Sequence, residues 1–120
     1  MLTFARTDIG RERKNNQDYY YISDDGCLNI LADGMGGYAG GEVASKLATI
    51  SAKDYITEHF DKNLDYEKEQ IVDIIKNAME YANTKVHEKA QEKPELEQMG
   101  TTLEICLIYK EKMFIGHVGD

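Results

Sequence analysis

The sequence predicts an α+β fold: antiparallel β-sheet with an antiparallel helix pair laid on one face. Two features of the 120-residue chain carry this reading. Short β-rich runs joined by tight polar turns stand before and after a long central stretch of helical periodicity. Strands and helices are also segregated in blocks, β-β-β, α-α, β-β, rather than alternating as in a parallel βαβ fold.

The elements follow in order. Residues 2–7 (LTFART) alternate loosely and predict a strand, and residues 8–17 (DIGRERKNNQ) are polar and predict a loop. The runs DYYYISD and CLNILAD flank Asp25-Gly26, the strongest short-range hairpin signal, because a type I′ turn needs positive φ at both central residues. From Gly41 to Phe60, Ala44, Leu47, Ala48, Ser51, Ala52 and Tyr55 recur at helical spacing. Asp65 offers an N-cap for a second helix over about Tyr66 to Glu92, with Ile71, Ile74, Ile75, Ala78, Ala82 and Val86 as its buried stripe and Pro94 as its stop. Residues 100–109 (GTTLEICLIY) and 113–118 (MFIGHV) predict two further strands around the polar turn Lys110-Glu111-Lys112.

Composition bounds the function. The chain is 42% hydrophobic and 30% charged, as a globular domain is, and its net charge of −8 argues against binding nucleic acid or an anionic membrane. No apolar run reaches the roughly 20 residues of a membrane span. The N-terminal stretch has no apolar core of a signal peptide, and Cys27 and Cys106 form no CxxC, so both read as reduced, buried strand residues of a cytoplasmic protein. His59 and His87 read as solvated, and His117 as a strand side chain.

The stretch LADGMGGYAGGEVAS holds the chemistry. Five glycines fall within residues 34–41, directly after Asp33. A two-residue loop at Asp25-Gly26 pairs Asp24 with Cys27 and therefore Asp18 with Asp33. Opposed strand residues share a face with Cβ atoms about 5 Å apart, and like charges there are destabilising. Either one carboxyl is protonated, or a cation lies between them, or the two are exposed aspartates near a turn with no joint role. A hard divalent ion with oxygen ligands fits best, and the backbone carbonyl of Gly34 is a further candidate ligand. A one-residue change in loop length would separate the two acids. Gly34 to Ala39 also fits GxGxxA, with Asp54 placed 20 residues after Gly34. The preceding strand belongs to a hairpin, however, and Asp54 falls inside a helix, so the dinucleotide reading is the weaker one.

Taken together, RKNNQD (Arg13–Asp18), LADGMGGYAGGEVAS (Leu31–Ser45), GTT (Gly100–Thr102) and HVGD (His117–Asp120) resemble the motifs of the metal-dependent protein serine/threonine phosphatases, the PPM family, type 2C, in its bacterial form. The resemblance implies hydrolysis of phosphoserine and phosphothreonine by water activated on two, or three, Mn²⁺ or Mg²⁺ ions. By position, Asp18 resembles an acidic metal ligand, Asp33 the bridging carboxylate, Gly34 the carbonyl ligand, Arg13 the phosphate-gripping arginine and Asp120 a ligand of an additional metal. Implied partners are phosphoprotein substrates of a serine/threonine kinase. Met35 replaces a histidine, and Gln17 a glutamate, found in some members. The family domain is about twice as long and forms an α-β-β-α sandwich. Residues 1–120 are therefore expected to be its N-terminal half, with little or no turnover alone. The alternative is a non-catalytic phosphatase-like module that binds or regulates a partner.

Overall fold

The backbone alternation that makes a ribbon from DYYYI and LNILADGM is the starting point of the sheet. In a computed structural model, residues 17–35, 40–93, 96 and 99–119 are described; the expected strand over residues 2–7, most of the loop over residues 8–17, and Pro94 lie outside them. The elements are β1 (Asp18–Ile22), β2 (Leu28–Met35), α1 (Gly40–His59), α2 (Lys68–Glu92), β3 (Gly100–Thr101), β4 (Leu103–Tyr109) and β5 (Lys112–Val118). The sheet order is β1-β2-β4-β5, with β3 continuing the β4 side of β2, and every pairing is antiparallel. The α+β class is as expected.

Both helices pack against one face of this sheet and against each other. Burial alternates along β2, with Leu28, Ile30, Ala32 and Gly34 buried and Asn29, Leu31 and Asp33 only partly so. The buried set meets Leu103, Ile105 and Leu107 of β4, the Ala44–Ala48–Ala52–Ile56 stripe of α1, and Ile71, Ile75, Ala78 and Ala82 of α2. Small residues dominate the α1 stripe, whereas α2 contributes the larger Ile71 and Ile75. The opposite face is open among the described residues: Tyr20, Met113 and Ile115 are 44%, 58% and 63% exposed.

Several details differ from expectation, each for a local reason. The β1–β2 connection is a four-residue loop, Asp24 to Cys27, closed by Ser23 N–H to the Leu28 carbonyl (2.9 Å) and by Gly26 N–H to the Ser23 carbonyl (2.9 Å). Only Gly26 there has positive φ, so the turn is not type I′. The two-residue turn with positive φ at both centres is instead Lys110-Glu111, with φ of 49° and 66°, and Tyr109 pairs with Lys112. Helix α2 begins after Glu67, whose N–H donates to Gln70 Oε1 at 2.7 Å, as in a capping box. Asp65, the expected cap, instead binds Lys110. Strand β2 runs through Gly34 to Met35, so the first of the glycines lies inside the sheet rather than beyond it. Cys27 and Cys106 are free but only partly buried, because each faces away from the helices or sits at a turn.

Candidate metal centre

Asp18 and Asp33 are direct cross-strand partners in the observed register. The parity of the ladder fixes what kind of pair they are. Gly34 N–H donates to the Gln17 carbonyl at 3.1 Å, so 17 and 34 stand at a hydrogen-bonded position of the ladder and the next pair, 18 and 33, at a non-hydrogen-bonded one. Non-hydrogen-bonded pairs hold their side chains closer, with Cα atoms about 4.5 Å apart. Both acids lie on the face turned away from the helices, which leaves their carboxylates outside the hydrocarbon core.

Behind this pair the chain is packed to backbone contact. A Cβ on Gly34 would collide with the backbone carbonyl of Gly41 in the first turn of α1, and a Cβ on Gly41 would collide with the Gln17 carboxamide. Glycine at these two places lets the start of α1 press against the strand pair that carries the acids. The glycines therefore serve a close approach of three segments, β1, β2 and the N-terminus of α1.

On its other side, Asp33 meets Thr102. Thr102 N–H donates to the Asp33 carbonyl at 3.0 Å, and Asp33 N–H donates to Thr102 Oγ1 at 3.1 Å. Thr101 Oγ1 donates to the Thr102 carbonyl at 2.7 Å, the oxygen that a regular ladder would offer to Asp33. This substitution is why the expected single strand over residues 100–109 divides into β3 and β4. The sequence shows the GTT motif but not its job, because that job depends on β2 and β4 being neighbours.

The side chains opposed in the pair are two carboxylates, both oxygen donors. That set suits Mg²⁺ or Mn²⁺ rather than zinc. Among the described residues, no group of three or more His, Cys, Asp or Glu is placed to hold a metal. Arg13 and Asp120 lie outside the described residues. Met35 is 54% exposed at the end of β2. Of the histidines, His59 stacks on Tyr55 with ring centroids 3.9 Å apart, His87 meets Gln91 on an exposed helix face, and His117 lies near the Gly119 carbonyl; none stands beside the acidic pair.

The protein phosphatase 2C family model matches residues 9–120. The chain belongs to the protein phosphatase 2C family. It is 36% identical over 117 residues to protein phosphatase PhpP of Streptococcus pneumoniae, covering 95% of this chain and 46% of that protein. It is 35% identical over 116 residues to the serine/threonine protein phosphatase PstP of Mycobacterium tuberculosis, covering 97% of this chain and 21% of PstP. A crystal structure of the PstP catalytic domain in complex with two manganese ions superposes with a TM-score of 0.75 at 35% identity, covering 96% of this chain and 46% of that one. The chain thus spans less than half the length of the curated relatives it matches. The 2C membership and the antiparallel setting of β2 together remove the dinucleotide reading, since no parallel βαβ unit is present among the described residues.

Acids elsewhere in this 2C chain have ordinary structural work. Asp25 accepts from Cys27 N–H (2.9 Å), Ser23 Oγ (2.7 Å) and Lys62 Nζ (3.0 Å). The Cys27 amide first, then the Ser23 hydroxyl and the lysine, hold its carboxyl well below the usual range. Burial, and secondarily Glu104, push the Cys106 thiol up, which makes it a poor nucleophile.

Proposed function

We propose that this chain carries the N-terminal part of a metal-dependent protein serine/threonine phosphatase site, acting on phosphoserine and phosphothreonine in the complete protein. The observation that carries the reading is the opposition of Asp18 and Asp33 in a close cross-strand pair, in a family one of whose members binds two manganese ions. Asp18 and Asp33 hold the divalent ions with their carboxylates, and Gly34 contributes its carbonyl. Asp120 contributes to an additional metal, and the Arg13 guanidinium grips two phosphate oxygens at once, a geometry its planar fork matches. When bound, paired divalent ions supply a water acidic enough to act near neutral pH and offset the charge of the phosphate. The chain's own groups then need only bind and orient, and no side-chain nucleophile is required.

Residues 1–120 are, on this reading, the N-terminal half of the catalytic domain. The open face bearing Tyr20, Met113 and Ile115 is where the second sheet implied by the family resemblance packs. A wall without its opposite side binds metal weakly, so the isolated chain turns over little. The substrates are phosphoproteins of a serine/threonine kinase, and a cytoplasmic signalling setting suits two free thiols.

The test is hydrolysis of a chromogenic phosphate ester by the complete protein with added Mn²⁺. Activity is expected to vanish on chelation and to fall by about a thousandfold in Asp33→Asn, the scale of losing several kcal/mol of charge stabilisation. Turnover that survives either change overturns the reading and favours a phosphatase-like binding module.

A further inference from the structure

We propose that Thr102 is a positioning residue for Asp33, its hydroxyl standing in for a backbone carbonyl so that one residue fixes both main-chain groups of the bridging acid. The inference rests on the reading of Asp33 as a metal ligand and adds a residue to it.

The argument comes from ladder parity. In an antiparallel sheet, the N–H and C=O of one residue point toward the same neighbouring strand. Because Asp18 and Asp33 form a non-hydrogen-bonded pair, the main chain of Asp33 points away from β1 and toward β4. Both of its groups are met by Thr102, at 3.0 Å and 3.1 Å. Strand β1 thus supplies the opposing carboxylate, while Thr102 holds the backbone from which the Asp33 carboxylate projects.

The side chain of Thr102 is itself confined. Extending the β4–β5 register by one step beyond Leu103 and Val118 places Gly119 opposite Thr102. Gly119 has a φ of +97°, and a Cβ built there would lie 3.0 Å from Thr102 Cα, 3.0 Å from its Cγ2 and 3.2 Å from its Cβ. The methyl group therefore sits under a stretch of chain that only glycine lets pass so near, which limits the hydroxyl to the side facing Asp33. Thr101 completes the arrangement by engaging the displaced Thr102 carbonyl at 2.7 Å. Asp18, Asp33, Thr102 and Gly119 form one row across the end of the sheet.

The complete protein carrying Thr102→Val, which keeps the shape and loses the hydroxyl, tests this. Two readouts are taken: hydrogen exchange of the Asp33 amide by NMR without metal, and Mn²⁺ affinity by calorimetry. The valine variant is expected to exchange the Asp33 amide faster and to bind Mn²⁺ about tenfold or more weakly, the usual cost of losing an outer-shell partner, while Thr102→Ser stays within about twofold of the parent in both. Faster exchange with unchanged Mn²⁺ affinity, or unchanged exchange, overturns the inference. If the valine variant does not fold, Thr102→Ala compared with Thr102→Ser decides it: parental affinity in serine alone supports the role, and equal loss in both overturns it. Asp33→Asn is run alongside. Parental Mn²⁺ affinity in that variant removes Asp33 as a ligand and so fails the underlying reading, whereas lost affinity there with parental affinity in Thr102→Val fails only the role of Thr102.

Discussion

The two ends of the sheet treat their acids in opposite ways. At the end where the hairpins turn, Asp25 meets Lys62 and Asp65 meets Lys110, so each carboxylate closes a loop onto a neighbouring element with a lysine of the same chain. At the other end, Asp18 and Asp33 are set against each other, and Gly34 and Gly41 let the start of α1 approach the strands that carry them. The first arrangement ties segments together at modest gain; the second places like charges where they repel. The proposed metal site requires this second arrangement, in which two acids are brought to one place on the sheet.

Substitutions at the two ends sharpen this contrast. The largest effect is expected at Gly34→Ala, whose methyl would meet the Gly41 carbonyl with no flexible side chain to yield. We expect a loss of about 3 kcal/mol in urea unfolding, at the upper end of overpacking costs, together with lost Mn²⁺ binding. A variant as stable as the parent would show that α1 does not bear on the acidic pair.

Next comes Tyr109→Phe at the turn end. The Tyr109 hydroxyl donates to the Leu64 carbonyl at 2.6 Å and accepts from Tyr66 N–H at 3.0 Å, stitching the α1–α2 connection to β4. Its loss is expected to cost about 2 kcal/mol by thermal unfolding, with Mn²⁺ affinity unaltered. A parallel fall in affinity would mean that the two ends are not independent.

The smallest effect is at Asp25→Asn. The folded carboxyl is held below its unfolded value, so its contribution is full above the unfolded pKa near 4 and is lost as pH falls through the folded value. At pH 7 the variant is expected to lose less than about 1 kcal/mol, since solvent screens this half-exposed group. The gap should close as the pH is taken well below 4. A gap that widens on acidification would contradict the arrangement around Asp25.

Much of the acidic row was readable beforehand, and the reason is specific. Asp25-Gly26 signals a hairpin centre regardless of turn class, and a four-residue loop keeps the same register as the two-residue loop it replaced. The helices were readable because their apolar spacing is unbroken over many turns. What escaped was decided by neighbours distant in sequence. Asp65 lost its capping role to Lys110, 45 residues later. The Lys110-Glu111 turn carries none of the Asn or Gly residues that announce positive φ, so its sequence predicts only a longer polar turn. Thr102 acquires meaning only when β2 and β4 lie side by side, which no local pattern states. Arg13 and Asp120 enter through the family resemblance alone.

The centring of the first hairpin sets a rule for how such a chain tolerates insertion and deletion. Adding or removing residues inside the 24–27 loop leaves every cross-strand partner in place, while losing a single residue within one strand moves one of the two acids to the helix-facing surface. Lineages descending from this sequence should therefore vary in length within that loop and keep the length of the two strands between it and the acids.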